Sequence, residues 1–109
     1  MDADYATFHR DGTNLVIHVF AVPVFVLGVV GAIWFAATAR FFLAAAFAIL
    51  PAISLAVQGA GHRKEPNPPR PFIGPANFVG RILAEQFFRF PLYVVSGGWA
   101  KALSESKQR

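Results

Sequence analysis

Residues 15–57 have the sequence LVIHVFAVPVFVLGVVGAIWFAATARFFLAAAFAILPAISLAV, an apolar run whose only fully charged side chain is Arg40. A membrane-spanning helix needs roughly 20 apolar residues to cross about 30 Å of hydrocarbon. The run is about twice that length, and Arg40 lies where a hairpin of two such helices would turn. The sequence therefore predicts two antiparallel transmembrane helices, over residues 15–34 and 41–58, with the turn near 36–40.

The composition also favours a membrane protein. The chain of 109 residues is 55% hydrophobic and 15% charged, whereas charged residues make up about 25% of a typical soluble domain. A soluble protein of this size could not bury so much apolar surface. The N-terminal sequence MDAD is acidic and lacks the basic region of a signal peptide, so the first apolar segment is expected to stay in the mature protein. The absence of cysteine excludes disulfides and Cys-ligated metal sites.

We predict a single all-α domain, an integral-membrane helical bundle in which one or two further interfacial or membrane helices join the transmembrane hairpin. After the hairpin, a third helix is predicted from Pro75 to Phe90, where Pro91 would interrupt it, and a fourth short helix over 92–103. The predicted segments are a polar N-terminal segment (1–14), the transmembrane hairpin (15–58), a His- and Pro-rich loop (59–75), C-terminal helices (76–103) and a polar tail (104–109).

All three histidines of the chain, His9, His18 and His62, fall near the two ends of the hairpin that meet when it closes. Neutral imidazole is the commonest metal ligand and suits iron and zinc alike. These histidines are therefore the candidate catalytic and metal-ligating residues, with Glu65 or Glu85 as a candidate fourth ligand. The alternatives are structural: His18 joins helices by hydrogen bonding to a neighbour, His62 caps a helix C-terminus, and His9 is a solvated loop residue.

Polar residues one helical turn from these histidines are candidate partners. Asn14 precedes His18 by four residues and Gln58 precedes His62 by four, so each pair shares a helix face. Such partners, with Glu85 as a third candidate, would fix the tautomer of a ligating imidazole. The alternative is ordinary hydrogen bonding between helices.

A charged stripe is predicted on the third helix. Arg81, Glu85 and Arg89 follow one another at four-residue spacing and share one face. Such a stripe usually faces solvent or lipid headgroups. Alternatively, Arg81 and Arg89 are substrate-binding residues that receive the carboxylate of an amphiphilic substrate through paired N–H bonds.

Two sequence blocks resemble those of a known family. The first is His9-x-x-x-x-Asn14-x-x-x-His18, followed by Pro23, and the second is Gln58-x-x-Gly61-His62, followed by Glu65. Both are similar to motifs of a family of small membrane proteins that includes the fungal iron(II)-dependent 2-hydroxy fatty acid dioxygenases. The sequence PPRPF at 68–72, with Arg81 and Glu85-Gln86, resembles a bacterial-type, shortened branch of that family.

The resemblance implies an integral-membrane oxidoreductase of lipid metabolism. It would use iron(II) and O₂ to shorten a 2-hydroxy fatty acid, or a similar lipid-derived acid, by one carbon in an α-oxidation step. On the matching positions, His9, His18 and His62 would be the iron ligands or their immediate neighbours. Asn14, Gln58 and Glu65 would support them.

Two other functions remain open from the residues themselves: a non-catalytic membrane module that binds lipid or a partner protein, and a zinc-dependent membrane hydrolase. The net charge of +4 does not indicate nucleic-acid binding, because the basic residues form no stripe. They instead predict orientation by the positive-inside rule, with Arg10, Arg63, Lys64 and Arg70 cytoplasmic and Arg40 outside, in a bacterial inner membrane. Self-association into a homo-oligomer is left open.

Overall fold

The computed structural model describes residues 3–67 and 71–107, and every regular element in these ranges is helical, which confirms the all-α prediction there. The α-helices are α1 (Ala3–Thr7), α2 (Gly12–Ala37), α3 (Phe41–His62), α4 (Pro75–Ala84), α5 (Phe90–Val95) and α6 (Gly98–Ser106). The extreme ends of the chain, and residues 68–70 of the proline-rich motif, lie outside the described residues.

The predicted hairpin is formed by α2 and α3. Its turn is at Thr38–Arg40, where Ala39 has a left-handed backbone (φ 59°) and the N–H of Arg40 donates to the carbonyl of Phe35 at 2.7 Å. Both helices are longer than predicted, since α2 already begins at Gly12 and α3 continues through two glycines to His62. The α3 extension brings Gln58 and His62 onto one helix face.

The two long helices approach closely where α2 carries glycine. A Cβ atom on Gly28 would overlap the Pro51 ring and the Phe47 carbonyl, and one on Gly31 would overlap the Phe47 ring. Small residues at such crossings let two backbones approach in a way that bulkier ones prevent, as is common between membrane helices. This packing fixes α2 against α3 and therefore sets the positions of the histidines they carry.

The outer surface of the hairpin is apolar. Within the described residues, α2 and α3 are the two helices long and apolar enough to cross a membrane. Phe20, Ile33 and Phe42 are 72%, 65% and 85% exposed, and contiguous apolar patches of this kind are rare on soluble monomers. Helices that face lipid carry such side chains without cost, so the fold indicates association with a membrane.

The prediction that Pro91 interrupts the third helix is wrong. Helical structure continues from α4 through a π-helical turn, Glu85–Arg89, directly into α5. In the π-turn the N–H of Phe90 donates to the carbonyl of Glu85, five residues earlier. A proline ring clashes with the carbonyl four residues before it in a regular α-helix, and the wider turn ahead of Pro91 relieves that clash.

The C-terminal part is two helices and not the single one predicted over 92–103. Gly97 has a left-handed backbone (φ 88°), which glycine adopts readily, and it separates α5 from α6. The Trp99 indole donates to the carbonyl of Leu15 at 2.8 Å and ties α6 to α2. The buried core then joins α1, α2, α5 and α6; its members are Tyr5, Leu15, Val22, Phe90, Tyr93 and Ala102.

Candidate metal centre

The three histidines converge on one point, as the sequence predicts. Their ring centroids lie 5.3 Å apart for His9 and His18, 4.9 Å for His9 and His62, and 4.7 Å for His18 and His62. One nitrogen from each ring can be chosen so that all three lie within 4.8 Å of one another, an arrangement that could hold a metal ion. His9 and His18 are buried, and His62 is partly exposed.

The hydrogen bonds of His9 and His18 leave one ring nitrogen of each without a partner. Nδ1 of His9 donates to the carbonyl of Tyr5 at 2.8 Å, and Nδ1 of His18 donates to the carbonyl of Asn14 at 3.0 Å. Because a carbonyl only accepts, both protons lie on Nδ1, and each Nε2 carries a lone pair. These Nε2 atoms, and Nδ1 of His62, are buried and without a hydrogen-bond partner among the described residues. Such orientation by a backbone carbonyl is typical of metal-ligating histidine.

His9 is neutral in this environment. Burial lowers the pKa of its imidazole to about 3, and the neighbouring His18 and His62 lower it further than burial alone, against the opposite effect of the Tyr5 carbonyl. A group with a pKa this low is unprotonated at pH 7. Neutral imidazole is the form that binds a metal.

Glu65 holds the N-terminal segment against the end of α3. One carboxylate oxygen accepts the backbone N–H groups of Arg10 and Asp11 at 2.6 and 2.9 Å, and the other accepts the Asn14 side-chain amide at 2.6 Å. Glu65 is therefore occupied by α2 and the segment before it, and it stands outside the three-histidine cluster. These bonds position the segment that carries His9, and a ligand role for Glu65 stays a prediction.

Close packing also holds the start of α2 against the end of α3. Gly61 lies against Asn14, and a Cβ at position 61 would overlap the Asn14 side-chain oxygen. Asn14 is thus fully buried between the start of α2 and the end of α3. It contributes a backbone carbonyl to His18 and a side-chain amide to Glu65, so it links two of the predicted site residues.

Tyr5 and Glu85 border the cluster on the side of His9. The Tyr5 ring stacks on the His9 ring at 4.1 Å, and its hydroxyl donates to a carboxylate oxygen of Glu85 at 2.5 Å. The same oxygen lies 3.6 Å from Nε2 of His9. Burial raises the pKa of the Glu85 carboxyl, which the Tyr5 hydrogen bond and the nearby Arg89 partly offset. Glu85 is therefore the acidic group that the structure places beside the histidines.

A buried amide pair fixes the π-turn to α3. Gln58 and Gln86 exchange two side-chain hydrogen bonds, both of 2.8 Å. The Gln58 amide also donates to the Ser54 hydroxyl at 2.9 Å, and Ser54 donates to the carbonyl of Ala21. All of these bonds lie inside the bundle, and together they connect α2, α3 and the π-turn. Gln58 therefore acts between helices and does not orient His62.

Substitution of this pair tests the network. Gln58→Leu leaves the Gln86 amide buried without its partner, and we expect a loss of about 1–3 kcal/mol in the free energy of unfolding. The double variant with Gln86→Leu removes both polar groups and should recover most of that loss. The measurement is denaturant unfolding in detergent of the wild type, both single variants and the double variant. Additive losses in the double variant would contradict the coupling.

An adjoining cavity of about 510 Å³ reaches the cluster. Its lining includes His9, His18 and His62 together with both predicted substrate-binding arginines. The Arg81 guanidinium donates to the carbonyl of Pro71 at 3.0 Å and lies 4.4 Å from the centre of the Phe72 ring. The Arg89 guanidinium lies 5.3 Å from the centre of the Tyr5 ring. The charged stripe thus borders the cavity, and a volume of this size is typical of small-molecule sites.

Comparison with known proteins adds no assignment: no family model matches the sequence, and no curated protein or solved structure matches it. The interpretation of the site therefore rests on its geometry.

The residues that sequence reasoning missed are Tyr5 and Ser54. The four-residue spacings of Tyr5 and His9, and of Ser54 and Gln58, are the signals that could have found them.

Proposed function

We propose that this chain is a membrane-embedded non-haem iron(II) dioxygenase that shortens a 2-hydroxy fatty acid, or a similar lipid-derived acid, by one carbon. The observation that carries the proposal is the cluster of three imidazoles, whose ligand atoms lie within 4.8 Å of one another and each of which has a buried nitrogen without a hydrogen-bond partner among the described residues. Zinc would also accept three histidines. The resemblance of both histidine blocks to the fungal dioxygenase motifs favours iron.

The donor set fits such a metal. His9, His18 and His62 would hold it through neutral nitrogens, and three protein ligands leave coordination positions free for reactants. Bound iron would supply the redox chemistry that activates dioxygen, which no side chain of this site provides. The backbone carbonyls of Tyr5 and Asn14 would keep the His9 and His18 imidazoles oriented toward the metal through their hydrogen bonds.

The cavity supports an acidic, apolar substrate. Its lining includes apolar side chains such as Leu55, Phe78 and Ile82, and its basic groups include Arg81 and Arg89. A guanidinium binds a carboxylate through two parallel N–H bonds. The acyl chain would lie along the apolar wall while an arginine receives the carboxylate. Because the arginines and the three histidines line the same cavity, binding in this way would direct the carboxylate end of the substrate toward the histidines.

The experiment that tests the proposal is metal analysis of protein purified gently in detergent, followed by anaerobic iron(II) addition and then oxygen. We expect near-stoichiometric iron and oxygen uptake that depends on 2-hydroxyhexadecanoic acid. The products should be pentadecanoic acid, carbon dioxide and water, one of each per O₂ consumed, and hexadecanoic acid should not react. Zinc in place of iron would favour the hydrolase. A protein that holds no metal even after iron addition would overturn the proposal in favour of a lipid-binding module.

We also propose that the histidine end of the hairpin faces the cytoplasm of a bacterial cell, in its inner membrane. Arg10, Arg63 and Lys64 cluster at that end, and Arg40 lies at the opposite turn; basic residues favour the cytoplasmic side. The chain has no cysteine, so single-cysteine variants report orientation directly. In intact cells, Arg40→Cys should react with a membrane-impermeant maleimide and Lys64→Cys should not; the reverse pattern would invert the topology.

A further inference from the structure

The cavity beside the histidines is bounded by two helices that do not close over it. Leu55 and Gly59 of α3 lie on one wall, and Phe78 and Ile82 of α4 lie on another. α4 continues directly into the π-turn and makes few contacts with α2 or α3. The link between α3 and this second helical run is the Gln58–Gln86 pair. The cavity therefore forms a gap between α3 and α4 beside that pair.

The edges of this gap are apolar and exposed. On α3, Ala52 and Ala56 flank the face of Leu55 and Gly59 and are exposed. On α4, Val79 and Leu83 are 53% and 41% exposed. These side chains continue the apolar outer surface of the hairpin. If the hairpin spans a bilayer, as proposed, the edges of the gap lie against hydrocarbon, since nothing polar there requires water.

The basic groups of the cavity lie toward its exposed border, and His9 and His18 lie deeper. Arg63, Arg81 and Arg89 line the cavity against two carboxylates, Glu65 and Glu85, and Glu65 is already bonded to three N–H donors. Apolar walls with basic groups at their border are complementary to a molecule with one acyl chain and one acidic head. Such a molecule is already dissolved in the bilayer at the level of the opening.

We propose that the gap between α3 and α4 is a lateral opening through which a single-chain acid passes from the bilayer to the three-histidine cluster, and that Gly59 keeps this opening clear. The chemical step at the cluster rests on the proposed function, whereas the route rests on the shape and polarity of the cavity. The glycine is a specificity-determining residue because its lack of a side chain sets the width of the gap.

The geometry at Gly59 makes this role testable. Gly59 lies four residues after Leu55 and three before His62, which both line the cavity, so the three share one helix face. A Cβ built on Gly59 meets no atom within 4 Å. A larger side chain there extends into the opening without displacing the protein, and replacing glycine inside a helix favours helix formation. Gly80 on α4 is equally unobstructed, but it is not part of the cavity lining.

The test compares Gly59→Leu with the matched control Gly80→Leu. The probe is hexadecanoic acid with a photoreactive diazirine near its methyl end, added to each protein in phosphatidylcholine nanodiscs. Labelling of peptides that contain Leu55 or Ile82, competed by excess hexadecanoic acid, reports occupancy of the cavity. We expect Gly59→Leu to lower this labelling at least 10-fold and Gly80→Leu to leave it near the wild-type level. Ile82→Trp, which narrows the gap from the opposite wall, should act like Gly59→Leu.

Iron content and turnover, measured on the same samples, separate this proposal from the proposed function. Labelling that both narrowing variants abolish, in a protein that binds no iron and turns over no substrate, would establish the opening and overturn the oxygenase. Labelling at the wild-type level in both Gly59→Leu and Ile82→Trp would overturn the lateral opening, whatever the iron content.

Discussion

His62→Ala is expected to lower the affinity for iron(II) or its cobalt(II) substitute by more than about 100-fold. Loss of a group that merely orients a ligand costs about 10–100-fold, and His62 would be a ligand itself. Its position at the last residue of α3, partly exposed, makes truncation there less damaging to packing than at the fully buried His18. The same loss of metal affinity is expected from His9→Ala, because the proposed site has only three protein ligands and each contributes to binding.

The measurement is anaerobic metal titration combined with thermal unfolding. A metal present at about 100 times its dissociation constant stabilises the folded protein by about 2.7 kcal/mol, so wild-type protein should unfold at a higher temperature with iron than without. His62→Ala should show no such increase. Lys64→Ala, two residues further and exposed, is the matched control and should retain both affinity and stabilisation. Wild-type affinity in His62→Ala would exclude His62 as a ligand.

Much of the fold follows from hydrophobicity alone. The length of the apolar run and the position of Arg40 predict two helices and their turn, because a bilayer imposes a fixed span. Closing that hairpin is enough to bring His18 and His62 together. These parts of the site could be predicted because they depend on helix length and direction, and both can be obtained from the sequence.

The part of the site that could not be predicted depends on contacts distant in sequence. A glutamate three residues after His62 suggests a ligand by its proximity, but the side chain instead accepts N–H groups from Arg10 and Asp11, more than fifty residues away. Likewise, Pro91 predicts the end of a helix because proline has no backbone N–H to donate. The helix continues because the π-turn just before Pro91 makes room for the proline ring. Spacing rules describe neighbours on one helix. They do not specify how separate segments pack.

Glu65→Ala is expected to destabilise the metal-free protein on the order of 3–5 kcal/mol, the largest stability loss that we predict. The carboxylate of Glu65 is buried and accepts three N–H donors, and hydrogen bonds to a charged group contribute about 1.5–3 kcal/mol each, though not additively. Its removal frees the segment that carries His9. A secondary loss of about 10–100-fold in metal affinity should follow, as for other groups that position a ligand.

Unfolding of the metal-free protein distinguishes this positioning role from direct ligation. A glutamate that only binds metal contributes nothing favourable to folding when the metal is absent, and its removal would leave the metal-free stability unchanged or raise it. A glutamate that fastens the N-terminal segment is needed whether or not metal is bound, so Glu65→Ala should unfold earlier in a chelator-treated sample. Lys64→Ala, at the exposed residue before Glu65, serves as the control and should shift unfolding by less than about 0.5 kcal/mol. If metal-free Glu65→Ala is as stable as the wild type but has lost metal affinity, Glu65 is a metal ligand. The position of His9 then depends on its stacking with the Tyr5 ring.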